Sequence, residues 1–132
     1  MRRRASAEYA DIVLETLRKA KRPISAYEII SMSRADAAMA PPTAYRALER
    51  LIEMGLAHKL ESLNAFVACS HSAHHNDMAF AICDSCGSVA EFMLPTLAKA
   101  LGNWSRSKGF KLNASTIELH GECPTCCKAD QR

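Results

Sequence analysis

Two short cysteine motifs constrain this chain more than any other feature: Cys83-Asp84-Ser85-Cys86 and Cys123-Pro124-Thr125-Cys126, with 36 residues between them. A C-x-x-C turn brings two thiolates to one point, and two such turns together offer the tetrahedral four-sulfur cage that Zn²⁺ prefers. Cys83, Cys86, Cys123 and Cys126 are therefore read as one closed structural zinc site. Cys127 adjoins Cys126, and Cys126 is chosen for its C-x-x-C spacing. A simple zinc ribbon separates its pairs by about 15 to 20 residues, so the longer segment here must form secondary structure of its own. The metal would staple the two ends of a small domain.

Other cysteine chemistries fit less well. Disulfides suit secreted proteins, but the opening Met1-Arg2-Arg3-Arg4-Ala5 is not followed by the apolar stretch of a signal peptide, so a cytoplasmic protein with reduced thiols is expected. A thioredoxin-like pair opens a helix after a strand, whereas here Gly87 and an apparent strand follow the first pair. His120-Gly121-Glu122 reads as the H-x-E of a zinc deaminase, yet that chemistry needs P-C-x-x-C well downstream, with room for a substrate pocket. Cys123 is adjacent, and its proline follows it instead of preceding it. No enzyme is expected.

The 132 residues suit one domain or two small ones, and 48% hydrophobic with 23% charged is an ordinary soluble composition. No apolar run approaches the ~20 residues of a membrane span. Net charge is only +3, but its distribution is uneven. Residues 1–62 hold 11 Lys/Arg against 8 Asp/Glu, and residues 63–132 hold 6 against 6; every Cys, and every His but His58, lies at or beyond Cys69. A mildly basic front half precedes a neutral, ligand-rich back half.

Ala10, Val13, Leu14 and Leu17 recur at helical spacing, predicting a helix from about Ser6 to Lys21 that Arg22-Pro23 ends. Ser25-Ala26-Tyr27-Glu28 is a capping box with Ile24 and Ile29 as its hydrophobic staple, predicting a second helix to about Asp36. Pro41-Pro42 pre-sets a third helix with Leu48, Leu51 and Ile52 as its apolar stripe, and Gly55 stops it. Three helices with short connections make a helix-turn-helix core. Leu56 to Leu60 then alternates with period two, Ala57 and Lys59 facing one way and Leu56, His58 and Leu60 the other; Ala65 to Cys69 is its hairpin partner after Ser62-Leu63-Asn64. That completes a winged helix over residues 1–69. The polar, unpatterned stretch 70–76 is placed as a hinge. Residues 77–132 read as a small α/β domain: strands at about Met78–Ile82 and Ser88–Phe92, a helix with Leu94, Leu97, Leu101 and Trp104 on one face, and a strand near Phe110–Leu119. The fold class expected is α+β.

DNA contact would fall on the third helix, whose exposed face begins Thr43, Tyr45, Arg46 and continues Glu49, Arg50. The first turn of a recognition helix reaches base edges in the major groove. Arg46 can fork to guanine, Tyr45 can pack on a thymine methyl, and Thr43 can hold a phosphate. The plainer account, a solvated helix face, gains nothing from its i,i+4 pairs, because Arg46 with Arg50 and Glu49 with Glu53 are like-charged. Net charge does not decide between the two.

Pro42-Thr43-Ala44-Tyr45-Arg46-Ala47-Leu48, Gly55-Leu56-Ala57-His58-Lys59, Cys83-x-x-Cys86-Gly87 and His120-Gly121-x-Cys123-x-x-Cys126, in that order, resemble the ferric uptake regulator family. His58-Lys59 and Cys69 resemble its zinc uptake regulator branch. The resemblance implies a homodimeric, metal-dependent transcriptional repressor with a winged helix and a C-terminal dimerisation domain, binding double-stranded operator DNA. It also implies a second, sensing site on His58, Cys69, one hinge histidine and Glu91, so two Zn²⁺ per protomer. A thiolate, imidazoles and one carboxylate suit Zn²⁺ better than Fe²⁺ or Mn²⁺. Taken singly, His58 would pass for a satisfied half-buried histidine and Cys69 for a small buried hydrophobe. Between the hinge histidines His75 is preferred over His74. His71 and His120 could belong to a further site, but the helix from Leu94 to Trp104 carries no acidic residue to complete it, and His120 is read as structural. Two rivals remain: a family member sensing another metal or peroxide, and a zinc-stabilised interaction module with no DNA role.

Overall fold

The computed structural model describes residues 5–69, 78–113 and 115–129. The chain divides into two compact units, Met1–Ser72 and Ala73–Arg132. The predicted hinge over 70–76, with His71, His74 and His75, lies outside the described residues.

In the first unit, α1 (Ser6–Ala20), α2 (Ala26–Met32) and α3 (Pro41–Glu53) precede a two-stranded wing of β1 (Ala57–Leu60) and β2 (Ala65–Ala68). Ala10, Val13, Leu14 and Leu17 point from α1 into a core shared with Ala44, Ala47, Leu48 and Leu51 of α3. The capping box forms as the sequence predicts. The Glu28 N–H donates to Ser25 Oγ at 3.1 Å, the Ser25 N–H donates to Glu28 Oε1 at 3.4 Å, and Ile24 and Ile29 are fully buried beside it. Arg22, 2.9 Å from Glu28, holds that carboxyl below the usual range.

Helix α2 is shorter than its sequence suggests, ending at Met32 instead of near Asp36. Ser33 is its C-cap. It is completely buried, and its hydroxyl donates to the Ile29 carbonyl at 2.7 Å, an oxygen that the Ser33 N–H also uses at 2.9 Å. A buried hydroxyl must find a nearby acceptor, and residues 33–36 that follow the helix are turns.

Helix α3 opens on its two prolines and closes in a Schellman motif. The Leu56 N–H donates to the Leu51 carbonyl at 2.9 Å and the Gly55 N–H to Ile52 at 3.0 Å, with Gly55 at φ 76. That left-handed residue turns the chain directly into β1. The strands pair antiparallel with His58 opposite Val67 and Leu60 opposite Ala65, around a turn at Asn64 (φ 49). Ala57, on the same side of the alternation as Lys59, is 1% exposed and belongs to the helical core, so both faces are covered where the wing leaves the helices. Lys59 reaches out to Glu61 at 3.4 Å. Ile24 adds a further rung by pairing with Phe66.

In the second unit, β3 (Met78–Cys83), β4 (Val89–Met93), α4 (Pro95–Ser107), β5 (Ile117–Gly121) and α5 (Pro124–Ala129) follow in sequence. The sheet order is β4-β3-β5, β4 antiparallel and β5 parallel to the central strand. Strand β3 is buried along nearly its whole length, on both faces, in keeping with its near-continuous apolar run Met-Ala-Phe-Ala-Ile. The strand expected from Phe110 begins only at Ile117. Phe110 instead closes α4: its N–H donates to the Ser105 carbonyl at 2.8 Å, and its ring lies 5.9 Å from that of Trp104. The apolar stripe of α4 is not a core within one chain. Leu97 and Leu101 are half-buried, and Leu94 and Trp104 are 44% and 55% exposed. Helix α5, which no sequence signal singled out, starts at Pro124.

Candidate metal centres and nucleic-acid interface

Parallel pairing of β3 with β5 builds the cysteine cluster. Its register sets Cys83 opposite Gly121, so both strands deliver their C-terminal ends, each followed by a cysteine knuckle, to the same edge of the sheet. The 36 intervening residues are thus a crossover through β4 and α4, the length a parallel connection requires. The thiols of Cys83, Cys86, Cys123 and Cys126 all lie within 4.8 Å of one another. Four sulfurs at ~2.3 Å from a tetrahedral zinc would stand ~3.8 Å apart, and the Cys86 and Cys123 sulfurs are 3.7 Å apart. The donor set and its spacing fit zinc.

The backbone is already arranged around those sulfurs. Cys83 Sγ accepts N–H groups from Cys123 at 3.3 Å and Cys86 at 3.4 Å, and Cys123 Sγ accepts from Cys126 at 3.5 Å. These donors pull the Cys83 thiol down to about 6, the Cys123 N–H chief among them, and the Cys123 thiol down as well. The Cys126 thiol is pushed up, first by Cys123 and then by the other two sulfurs. Gly87, at φ 78, lets the first knuckle turn back, its N–H donating to the Cys83 carbonyl at 2.9 Å. All six cysteines are free thiols. Cys127 is exposed and its sulfur is outside the cluster.

Contacts between the two knuckles went unnoticed in the sequence. His120 Nδ1 lies 3.3 Å from Asp84 Oδ1, Ser85 Oγ donates to Glu122 Oε1 at 3.3 Å, and the Asp84 N–H donates to the Gly121 carbonyl at 2.8 Å. His120, read as structural, here pairs with a residue of the other motif. Only the register of β3 and β5 reveals these partners.

Of the expected sensing residues, the first unit brings His58 and Cys69 together. His58 faces Val67 across the wing, and Cys69 follows two residues on, on the same side, its N–H donating to the Leu56 carbonyl at 2.8 Å. An imidazole nitrogen and the Cys69 sulfur lie within 4.8 Å, and His58 is only 9% exposed. Glu91 belongs to the second unit, in the middle of β4 opposite Phe80, half-buried.

Helix α3 separates two faces: Ala44, Ala47, Leu48 and Leu51 are buried, while Tyr45, Arg46, Glu49 and Arg50 are exposed and Thr43 is half-buried. Arg46 and Arg50 line an open groove with Ser6 and Tyr9 of α1.

A model of the ferric uptake regulator family matches residues 5–120. The chain belongs to the ferric uptake regulator family. Among its relatives, the zinc uptake regulation protein of Escherichia coli strain K12 is 37% identical over 110 residues, covering 81% of this chain and 64% of that protein. The chain therefore spans just under two thirds of the length of that relative. Two solved members share its fold closely. Holo XcZur is 40% identical with a TM-score of 0.83, covering 91% of this chain and 84% of that one. A zinc uptake regulator complexed with zinc and DNA is 33% identical with a TM-score of 0.86, covering 94% and 84%.

Proposed function

We propose that this family member is a zinc-responsive transcriptional repressor, which binds operator DNA as a homodimer when a sensing site holds Zn²⁺ and so controls zinc uptake genes. The observation that carries the reading is the His58–Cys69 pair. It sits on the wing whose first strand leaves the C-terminus of the proposed recognition helix with no slack, through the Gly55 turn. Thiolate and imidazole donors favour zinc over the harder iron and manganese. Likeness to the Escherichia coli zinc regulator and to the regulator solved with zinc and DNA supports the same choice.

In this reading each protomer takes two zinc ions, one in the cage of Cys83, Cys86, Cys123 and Cys126 and one on His58, Cys69, His75 and Glu91. When bound, zinc supplies a crosslink without redox chemistry of its own. His58 and Cys69 hold the wing, His75 and Glu91 belong to the chain beyond it, and all four ligands are presented together only in the DNA-competent arrangement. Thr43, Tyr45 and Arg46 contact the operator. The role is regulatory, not enzymatic, and cytoplasmic; no helix among the described residues is long and apolar enough to cross a membrane. The exposed apolar surface of α4 and its flank, with Leu94, Trp104, Phe110 and Leu112 each at least 39% exposed, supports burial against a second copy.

A gel shift with promoter DNA of a zinc uptake gene tests the reading. Retarded DNA is expected with Zn²⁺ and free DNA after chelation of the sensing metal. Equal retardation in both would make the second zinc structural, and no retardation would leave a zinc-stabilised interaction module. Replacing Zn²⁺ by Fe²⁺ or Mn²⁺ should fail to restore binding; full restoration would move the chain to the iron or manganese sensors of its family.

A further inference from the structure

We propose that Asp84 with His120, and Ser85 with Glu122, are positioning residues that clamp the two cysteine knuckles to each other and thereby govern how slowly the cage releases its metal. The inference rests on reading the four cysteines as a zinc cage. Each knuckle supplies only two sulfurs, so the cage survives only while two loops far apart in sequence keep their register. The β3–β5 ladder sets that register up to Cys83 and Gly121, and there the strand pairing ends. At that end the knuckles are joined by the Asp84 N–H on the Gly121 carbonyl and the Cys123 N–H on Cys83 Sγ, and, through side chains, by His120 Nδ1 against Asp84 Oδ1 and Ser85 Oγ on Glu122 Oε1. The two side-chain pairs link residues 84 and 85, which lie between the ligands Cys83 and Cys86, to residues 120 and 122, which immediately precede the ligand Cys123. The carboxylate of Asp84 can only accept, so the His120 Nδ1–H donates to it. None of these four side chains reaches a sulfur; they act on the loops that carry the sulfurs.

Opening of the cage begins when one knuckle swings away from the other, and each clamp must break for that to happen. The pairs are surface-exposed, which limits each to a modest effect, whereas groups that orient metal ligands commonly change affinity ten-fold or more. Release faster by about five-fold per clamp is therefore expected.

The test follows loss of zinc from the full chain to an excess of a chromophoric chelator. The parent protein should release one cage zinc per chain slowly, and His120→Ala and Ser85→Ala should each release it about five-fold faster. His120→Asn, whose side-chain amide can donate from nearly the place of Nδ1, should return close to the parent rate, which a loss of bulk alone would not do. Parent-like release from both His120→Ala and Ser85→Ala overturns the clamp while leaving the cage intact, as does His120→Asn releasing as fast as His120→Ala. A parent protein that binds no zinc at its four cysteines overturns the cage reading and the clamp with it. Should His120→Ala fail to fold, Ser85→Ala, which removes one exposed hydroxyl, decides the question by itself.

Discussion

Arg46 shows how much a single side chain is asked to do in this protein. It stands on the exposed face of α3 beside Arg50, a neighbour of like charge, so the helix itself gains nothing by having it there. Arg46→Ala should leave the fold and bound zinc unchanged and cost about 1 to 3 kcal/mol in specific DNA binding, with preference relaxed at one base pair. Binding titrations on the operator and on single-base variants check this. The cage cysteines support a second expectation at the same scale. Cys83 has its pKa drawn from 9.0 to about 6 by N–H donors, so its thiolate contributes stability that is full above pH 9, shrinks below that, and is gone once pH falls through 6. Protons compete with zinc for the same sulfurs. Chelator-driven loss of the cage metal should therefore accelerate as pH falls, in a series of release measurements from pH 8 to pH 5. Both cysteine motifs were legible in the sequence because their spacing is local, whereas the Asp84 and His120 pair was not, since its members stand 36 positions apart.

Among the elements, the corner from α3 into β1 carries the most consequence. Gly55 at φ 76 closes the helix and launches the strand that bears His58 within three residues. A side chain there is strained by about 1 to 2 kcal/mol. Gly55→Ala should lower the Tm by about 5 °C or more, and Gly55→Asn, which tolerates the left-handed region, by less. Thermal unfolding followed by circular dichroism separates the two. Because the wing takes its direction from this corner, a proposed sensing metal on His58 and Cys69 would act on the recognition helix through backbone with little slack. Ala57 shares its side of the strand with Lys59 yet is buried, since at the foot of the wing the strand still lies against α3.

For the whole molecule, the proposed switch has a thermodynamic signature. If zinc raises operator affinity, the operator must raise zinc affinity by the same factor. A change from about 1% to 99% competent requires about 5.5 kcal/mol of differential zinc binding. Cys69→Ser should keep one zinc, in the cage, and lose the zinc dependence of DNA binding. Zinc affinity measured with and without operator, in the parent and in Cys69→Ser, checks this: the parent should show the coupling and the variant should not. An operator that left the parent's zinc affinity unchanged would make the second metal structural.

What the sequence determined by itself is everything whose cause lies within a turn or two of chain: the capping box at Ser25, the proline start and glycine stop of α3, the helical spacing of Leu14 and Leu17, and the pairing of thiols within each C-x-x-C. These are contacts between residues three to six positions apart, so their geometry follows from backbone conformation alone. Tertiary structure decided the rest. Strand order placed β5 parallel beside β3 and so turned two half-sites into one cage. Helix α2 stopped at Met32, before the buried Ser33, Phe110 packed on Trp104 while β5 began only at Ile117, and Leu94 and Trp104 of the α4 stripe stayed exposed. Each of these depends on which distant surface covers a residue, and coverage is a property of the packed chain that no local window contains.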